Sequence, residues 1–412
     1  MEKKNFVQDA MQEVESLLKN AFAAAMQQGK LPENELPAFT VEIPAETTHG
    51  DFASNAAMVS ARTFRMAPVK IANILAECID CASARYIDRV EIAGPGFINF
   101  FVSDAWFASI VSGVLEAGEE YGRSDIGKGE KVMVEFVSAN PTGPMHMGNA
   151  RGGAIGDCLA AALDACGYDV TREFYINDAG NQIEKFGLSL EARYLQIYKG
   201  EEAVPFPEDG YHGEDIKERA QQYADEHGDC LLNLSEAERR QALVDFALPK
   251  NIEKLRTDLE KYRITYDVWF PESTLHQSGA VKAVVDELTS RGMTYEKDGA
   301  IWYKATEFGG EKDEVLVRAN GNPTYFTADI AYHKNKFVDR HFDRVINVWG
   351  ADHHGHVARL KGAMDAIGLD GSKLDIVLMQ LVRLMKDGEP YRMSKRTGKS
   401  ITLSDLTDLV PI

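Results

Sequence analysis

The chain has 412 residues, 44 % of them hydrophobic and 26 % charged, a composition that suits a folded protein with two or more cored domains. A net charge of −19 excludes wholesale nucleic-acid binding by a basic surface. A short basic track can still act locally, because exposed charges are screened beyond about 10 Å at ordinary salt. No apolar run approaches the ~20 residues that span a bilayer, so no membrane partner is expected.

The first element is an amphipathic helix over 5–28, with Phe6, Val14, Leu17 and Leu18 on one face. It lacks the continuous apolar core and small-residue cleavage site of a secretory signal, so the expected location is cytoplasmic. A strand follows over 39–43 and a second helix over 67–82. Cys78 and Cys81 form a lone C-x-x-C within that helix. No second pair completes a zinc set, so core packing is expected, and five irregularly spaced cysteines suit a reducing compartment. Strands over 89–92 and 97–102 flank the turn Gly94-Pro95-Gly96. Residues 1–105 therefore read as a small α+β domain, joined by a linker helix (103–121) and a polar loop, together 106–130, to a main domain over 131–412.

The main domain opens with a β-rich run over 131–137, a Pro/Gly turn over 138–149, a helix over 150–166 stopped by Gly167, and a strand over 170–176. This β-α-β unit predicts a right-handed crossover in a parallel sheet, with ligands at the carboxyl ends of the strands. Helical stretches at 177–200 and 213–263 read as an insertion over about 183–265. The Pro- and acid-rich stretch 201–210 between them is expected to be a mobile loop. Strand-like pieces recur at 266–270, 294–296, 301–304 and 315–318. The sheet resumes at 345–349 and 376–381. The fold class expected is α/β: a Rossmann-like parallel sheet with a helical insertion, preceded by the α+β domain.

Four segments carry candidate chemistry. Within the turn, His146 and Gly148 stand at a helix N-terminus, where unpaired N–H groups and the helix dipole favour a phosphate. The segment 392–399 is a short basic Ser/Gly loop. In 350–356 a Gly and an Asp precede three His. These His do not share a helix face, so no metal site is expected. The segment 325–329 sets a tyrosine and an aspartate, Tyr325 and Asp329, four residues apart. Taken singly, each would suit an ordinary turn or hydrogen bond.

Together they resemble the class I aminoacyl-tRNA synthetases. Ser138 to Asn149 is similar to the HIGH signature and 392–399 to the KMSKS signature. Glu135, Asn140 and the Tyr325/Asp329 pair look most like the arginyl-tRNA synthetase family, and His49 to Ala53 resembles its tRNA-contacting N-terminal domain.

The resemblance implies that arginine and ATP form arginyl-adenylate, with Mg²⁺ neutralising the phosphates. The arginyl group then passes to the 2′-hydroxyl of the terminal adenosine of tRNA(Arg). It implies catalytic roles for His146, Asn149 and Lys395, and ATP contacts from Gly143, His146, Gly148, Asn149, Gly350, Asp352, Met393, Ser394 and Lys395. Arginine contacts fall to Glu135, Ser138, Asn140, Tyr325, Asp329 and His353. Two positions depart from the pattern: Asn149 replaces the second His, and Arg392 the first Lys. Asn177 to Gln182 matches a family segment that shapes the pocket. The family continues into a helical anticodon-binding domain and this sequence stops at Ile412, so either a fragment or a naturally short form is expected. Weak or absent charging is therefore expected of these residues alone, and a monomer is implied. The competing reading is a non-catalytic RNA-binding or regulatory paralogue, which predicts erosion at His146, Lys395 or Asp329; all three are present.

Overall fold

The computed structural model describes residues 5–380, 382, 384–386, 389–391 and 401–409. The chain forms two compact units, Met1–Asp125 and Ile126–Ile412.

In the first unit, helix Phe6–Gln27 is capped by the Asn5 side chain and buries Ala10, Val14, Leu17, Leu18, Ala21, Phe22 and Ala25 along one stripe. Helices Ala56–Phe64 and Pro68–Cys78 share that core, and Cys78 and Cys81 pack at its margin. An antiparallel sheet completes it, in the order Val41–Glu42, Phe52–Ser54, Phe97–Val102, Ile87–Ala93. The His49–Ala53 stretch has a structural task here. Asp51 accepts the Val102 N–H at 2.8 Å, and Gly50 has φ +83° with its Cα packed on the Phe100 carbonyl, where a Cβ would come within 2.7 Å. The expected helix over 103–121 ends at Ala117, because Gly118 turns into positive φ.

The second unit is built on five parallel strands ordered Leu374–Met379, Arg344–Gly350, Lys131–Glu135, Asp169–Ile176, Val268–Pro271. Its first strand in sequence is thus central, and later strands are added outward on both sides. Burial on both faces explains the continuous apolar character of the central strand. Val132, Val134 and Phe136 face Ala160 of helix Asn149–Ala165 and Leu255 and Leu259 of helix Glu236–Lys261. Met133 and Val345 face the opposite layer, with Ile330, Leu360 and Met364. The α/β fold expected from the sequence is the fold observed.

Helix Asn149–Ala165 approaches the sheet through glycine. A Cβ at Gly156 would lie 2.1 Å from Phe136 Cγ, and one at Gly153 2.7 Å from Ile264 Cδ1. Gly→Ala normally favours a helix interior, but this contact reverses the sign. Gly156→Ala is expected to lower stability by about 1–3 kcal/mol, the usual cost of overpacking, measured by chemical denaturation.

The insertion comprises helices Asn181–Lys199, Glu214–His227 and Glu236–Lys261 around Phe186, Leu190, Ile216 and Leu243. The continuous helix expected over 213–263 is two helices. Gly228 ends the first at φ +65°, and Ser235 and Glu238 form a reciprocal capping box that starts the second. The stretch 201–210, expected to be mobile, is pinned. Gln196 Nε2 donates to the Val204 carbonyl at 2.8 Å, and the Arg193 guanidinium lies 4.2 Å from the Phe206 ring centre.

Candidate active site

The central strand Lys131–Glu135 leads to one side of the sheet and Arg344–Gly350 to the other. Their outgoing loops part and leave a crevice at the carboxyl ends, where doubly wound sheets hold ligands. A cavity of about 800 Å³ occupies it. Eleven residues singled out from the sequence line it: Glu135, Ser138, Asn140, His146, Gly148, Asn149, Tyr325, Asp329, Gly350, Asp352 and His353. Gly143 does not. It faces the insertion instead, where a Cβ would stand 3.2 Å from Asp215 Oδ2. Met393, Ser394 and Lys395 lie outside the described residues.

The first wall is the His146 turn. The expected strand over 131–137 stops at Glu135, because Val137 and Ser138 adopt φ +69° and +43°. A β-branched residue in this region is a strained conformation of the kind that collects at functional sites. Ser138 is then held on both sides: its hydroxyl donates to Glu135 Oε1 at 2.9 Å and accepts the Tyr175 N–H at 3.2 Å. His146 Nδ1 accepts the Gly148 N–H at 3.0 Å, so the neutral ring carries its proton on Nε2. A Cβ at 148 would lie 2.9 Å from that Nδ1, so glycine here seats the imidazole itself. Asn149 begins the helix behind it. Ile401 and Leu403 bracket the turn from the far end of the chain: the Met147 N–H donates to the Ile401 carbonyl at 3.0 Å, and the Leu403 N–H to the Met145 carbonyl at 2.8 Å.

The second wall is helix Tyr325–Lys334 with the π-helical turn Asn335–Asp339. Asp329 is one-third exposed, and its Oδ2 stands 2.9 Å from Nε2 of the buried His356. Arg359 links this pair to Glu314, its Nε donating to His356 Nδ1 at 2.7 Å and its Nη1 to Glu314 Oε1 at 2.7 Å. Tyr325 stays exposed at the rim, where its hydroxyl accepts from Gln182 at 3.4 Å.

Beneath both walls runs a buried polar network that sequence reasoning did not reach. Lys336, fully buried, donates to Glu135 Oε2 at 2.6 Å and Asn347 Oδ1 at 3.2 Å. Both Glu135 oxygens are therefore engaged, and its charge is neutralised locally. Asn347 Nδ2 donates to His333 Nε2 at 2.8 Å, and His333 Nδ1 donates to the Asp329 carbonyl at 2.8 Å. Burial, reinforced by Lys336, holds the His333 imidazole well below its usual range, so it is neutral, as this bonding requires. Burial likewise raises the Tyr175 hydroxyl far above the ordinary tyrosine value, with Glu272 and Asp329 adding to the effect, so it lines the cavity as a neutral group. One signal for the network was available. Tyr332, His333 and Lys336 follow Asp329 at helical spacing, so they share its neighbourhood.

The cavity thus has a helix-N-terminal, proton-donating side and a carboxylate side. Among the described residues no group of three His, Cys, Asp or Glu could hold a metal ion, and no helix is long and apolar enough to cross a membrane.

Known proteins match both units. The sequence model for the catalytic domain of class I tRNA synthetases of the arginine type covers residues 110–410, and that for the arginyl tRNA synthetase N-terminal domain covers 12–102. The arginine–tRNA ligase of Acetivibrio thermocellus is 57 % identical over 98 % of this chain and 72 % of its own length. That of Caldanaerobacter subterraneus is 58 % identical over the same shares. The arginyl-tRNA synthetase structure from Thermus thermophilus superposes with a TM-score of 0.61 over 96 % of this chain and 69 % of that one, and at 19 % identity it supports the fold alone. With both units matched and more than half the residues shared with these ligases, the chain belongs to the class I arginyl-tRNA synthetase family.

Proposed function

We infer that this chain is an arginine–tRNA ligase that activates arginine with ATP and passes it to the 3′-terminal adenosine of tRNA(Arg). The observation that carries this reading is the opposition within one cavity of the His146 turn and Asp329. A carboxylate oxygen of arginine attacks the α-phosphorus, the bond to the leaving pyrophosphate breaks, and charge gathers on phosphoryl oxygens. Catalysis is then mostly positioning and charge stabilisation. His146, protonated on Nε2, donates to a phosphate oxygen, and the helix N-terminus at Asn149 adds its dipole. Gly350 and Asp352 receive the adenosine, the carboxylate accepting from the ribose. Lys395, with Met393 and Ser394, stabilises the pyrophosphate; the residues that follow them in sequence, Ile401 to Leu403, bond to the His146 turn. Mg²⁺ would be held by the nucleotide's own phosphate oxygens, the ligand type it prefers, and would neutralise part of their charge. In the second step the 2′-hydroxyl attacks the activated carbonyl and AMP leaves.

Asp329, flanked by Tyr325, accepts the guanidinium. Of the cavity's other carboxylates, Glu135 is already paired with Lys336 and Asp352 lies well exposed at the nucleotide side. Ser138, Asn140 and His353 serve the α-amino and carboxylate groups. Asp329→Asn, which keeps the shape but removes the charge, is expected to raise the KM for arginine about 10–100-fold while the KM for ATP stays within about twofold; one to two charge-assisted hydrogen bonds carry that magnitude. Pyrophosphate exchange into ATP at varied arginine measures it. A cytoplasmic monomer is the form proposed.

The same exchange assay tests the whole reading when run with each of the twenty amino acids and tRNA(Arg). Arginine alone should support exchange. Exchange supported by another amino acid, with arginine silent, would reject the assignment.

A further inference from the structure

Asp329 does not stand alone in its wall. Behind it is a row of alternating character: Glu314, Arg359, His356, Asp329. Arg359 Nε–H donates to His356 Nδ1, which fixes that nitrogen as the acceptor. The other nitrogen, Nε2, must then carry the proton. It is buried and stands 2.9 Å from Asp329 Oδ2, too far off the line to that oxygen for a hydrogen bond, and makes no hydrogen bond to any other group. The ring itself is caged, 5.3 Å from the Trp349 ring and edge-on to Phe326 at 5.7 Å.

We propose that Arg359 is a positioning residue for amino-acid recognition: by fixing the tautomer of His356, it keeps the N–H edge of that ring, rather than a lone pair, against one oxygen of Asp329, and so favours the carboxylate position that meets the substrate's guanidinium. This rests on the role given to Asp329 above and extends it to a residue that acts through another. The row also solves a charge problem. Arg359 borders the cavity, and an unopposed guanidinium there would repel a cationic ligand; Glu314 opposes it at 2.7 Å. Without the Arg359 N–H, His356 is free to take the other tautomer. Nε2 would then set a lone pair against a carboxylate oxygen 2.9 Å away, and the contact would become repulsive.

The test is calorimetric binding of arginine and, separately, of ATP to the whole chain and its variants. Arg359→Met should weaken arginine about tenfold and leave ATP within twofold. His356→Ala should weaken arginine to a similar extent. The double variant should be no worse than His356→Ala alone, since two residues in one row act as a unit. Arg359→Lys preserves charge against Glu314 but cannot also reach His356 in the same plane. It should weaken arginine at least threefold, and it serves if the Met variant fails to fold. The proposal is overturned if Arg359→Met and Arg359→Lys bind arginine within twofold of the parent. Losses that multiply in the double variant, or ATP affinity that falls in parallel, would also overturn it. Asp329→Asn separates the two levels. If that variant binds arginine normally, the pocket reading itself fails. If it binds poorly while the Arg359 variants bind well, only the row is wrong.

Discussion

Replacing His146 with Ala should lower the rate of arginine-dependent pyrophosphate exchange roughly 10²–10³-fold at saturating substrates, the range seen when one preorganised donor to a developing oxyanion is removed. Gly148 N–H occupies Nδ1, the proton sits on Nε2, and the ring faces a cavity backed by a helix N-terminus. Such a donor is oriented before the reaction begins, so its contribution grows as charge moves onto phosphoryl oxygen. The loss should fall on kcat, with the KM for arginine within about threefold of the parent, because the wall proposed to hold the guanidinium is untouched. A change in the KM for arginine with kcat intact would place His146 at the wrong end of the cavity. His146→Asn, which retains an amide donor, should recover part of the rate.

Lys336→Met should destabilise the Ile126–Ile412 unit by about 3–5 kcal/mol, the cost of leaving a buried carboxylate without its partner. Glu135 and Lys336 are 8 % and 0 % exposed at the side chain, and the Nζ also sits 4.0 Å from the centre of the Tyr332 ring. A second change discriminates the cause. Glu135→Met combined with Lys336→Met removes both charges and should restore most of the stability, since apolar replacement of a whole buried pair is near neutral. The double variant should nevertheless remain poor in exchange, because Ser138 loses the carboxylate that orients its hydroxyl. Denaturant titration of the two variants, paired with exchange rates, measures both halves. If the single variant is as stable as the parent, the charge on Glu135 is not held in the buried form seen here.

The contrast between these two residues shows what the sequence can carry. His146 is legible because its signal is local: an apolar run, Pro and Gly in a turn, then helical spacing, all within 131–166. The sheet around it was legible for the same reason, and the observed strands Asp169–Ile176 and Arg344–Gly350 lie within a residue of those expected. Asp329 and Asp352 came from motif resemblance; periodicity gives no hint of them. Lys336 gives little local sign of burial. A lysine just past a helix end reads as a solvated charge, and its burial depends on a partner 201 residues away. The positive φ of Val137 is equally silent, since no propensity favours a β-branched residue there. The break between residues 228 and 235 was written in the sequence as a glycine stop and a Ser-x-x-Glu start, and two helices could have been read from it.

One cavity is proposed to hold a nucleotide against the His146 turn and a guanidinium against Asp329. A co-crystal with a non-hydrolysable arginyl-adenylate analogue tests it most directly. The guanidinium should lie within hydrogen-bond distance of the Asp329 carboxylate, the adenosine beside Gly350 and Asp352, and the group that replaces the phosphate beside His146. An analogue bound in reverse, or seated outside this crevice with Asp329 and His356 unchanged, would contradict it.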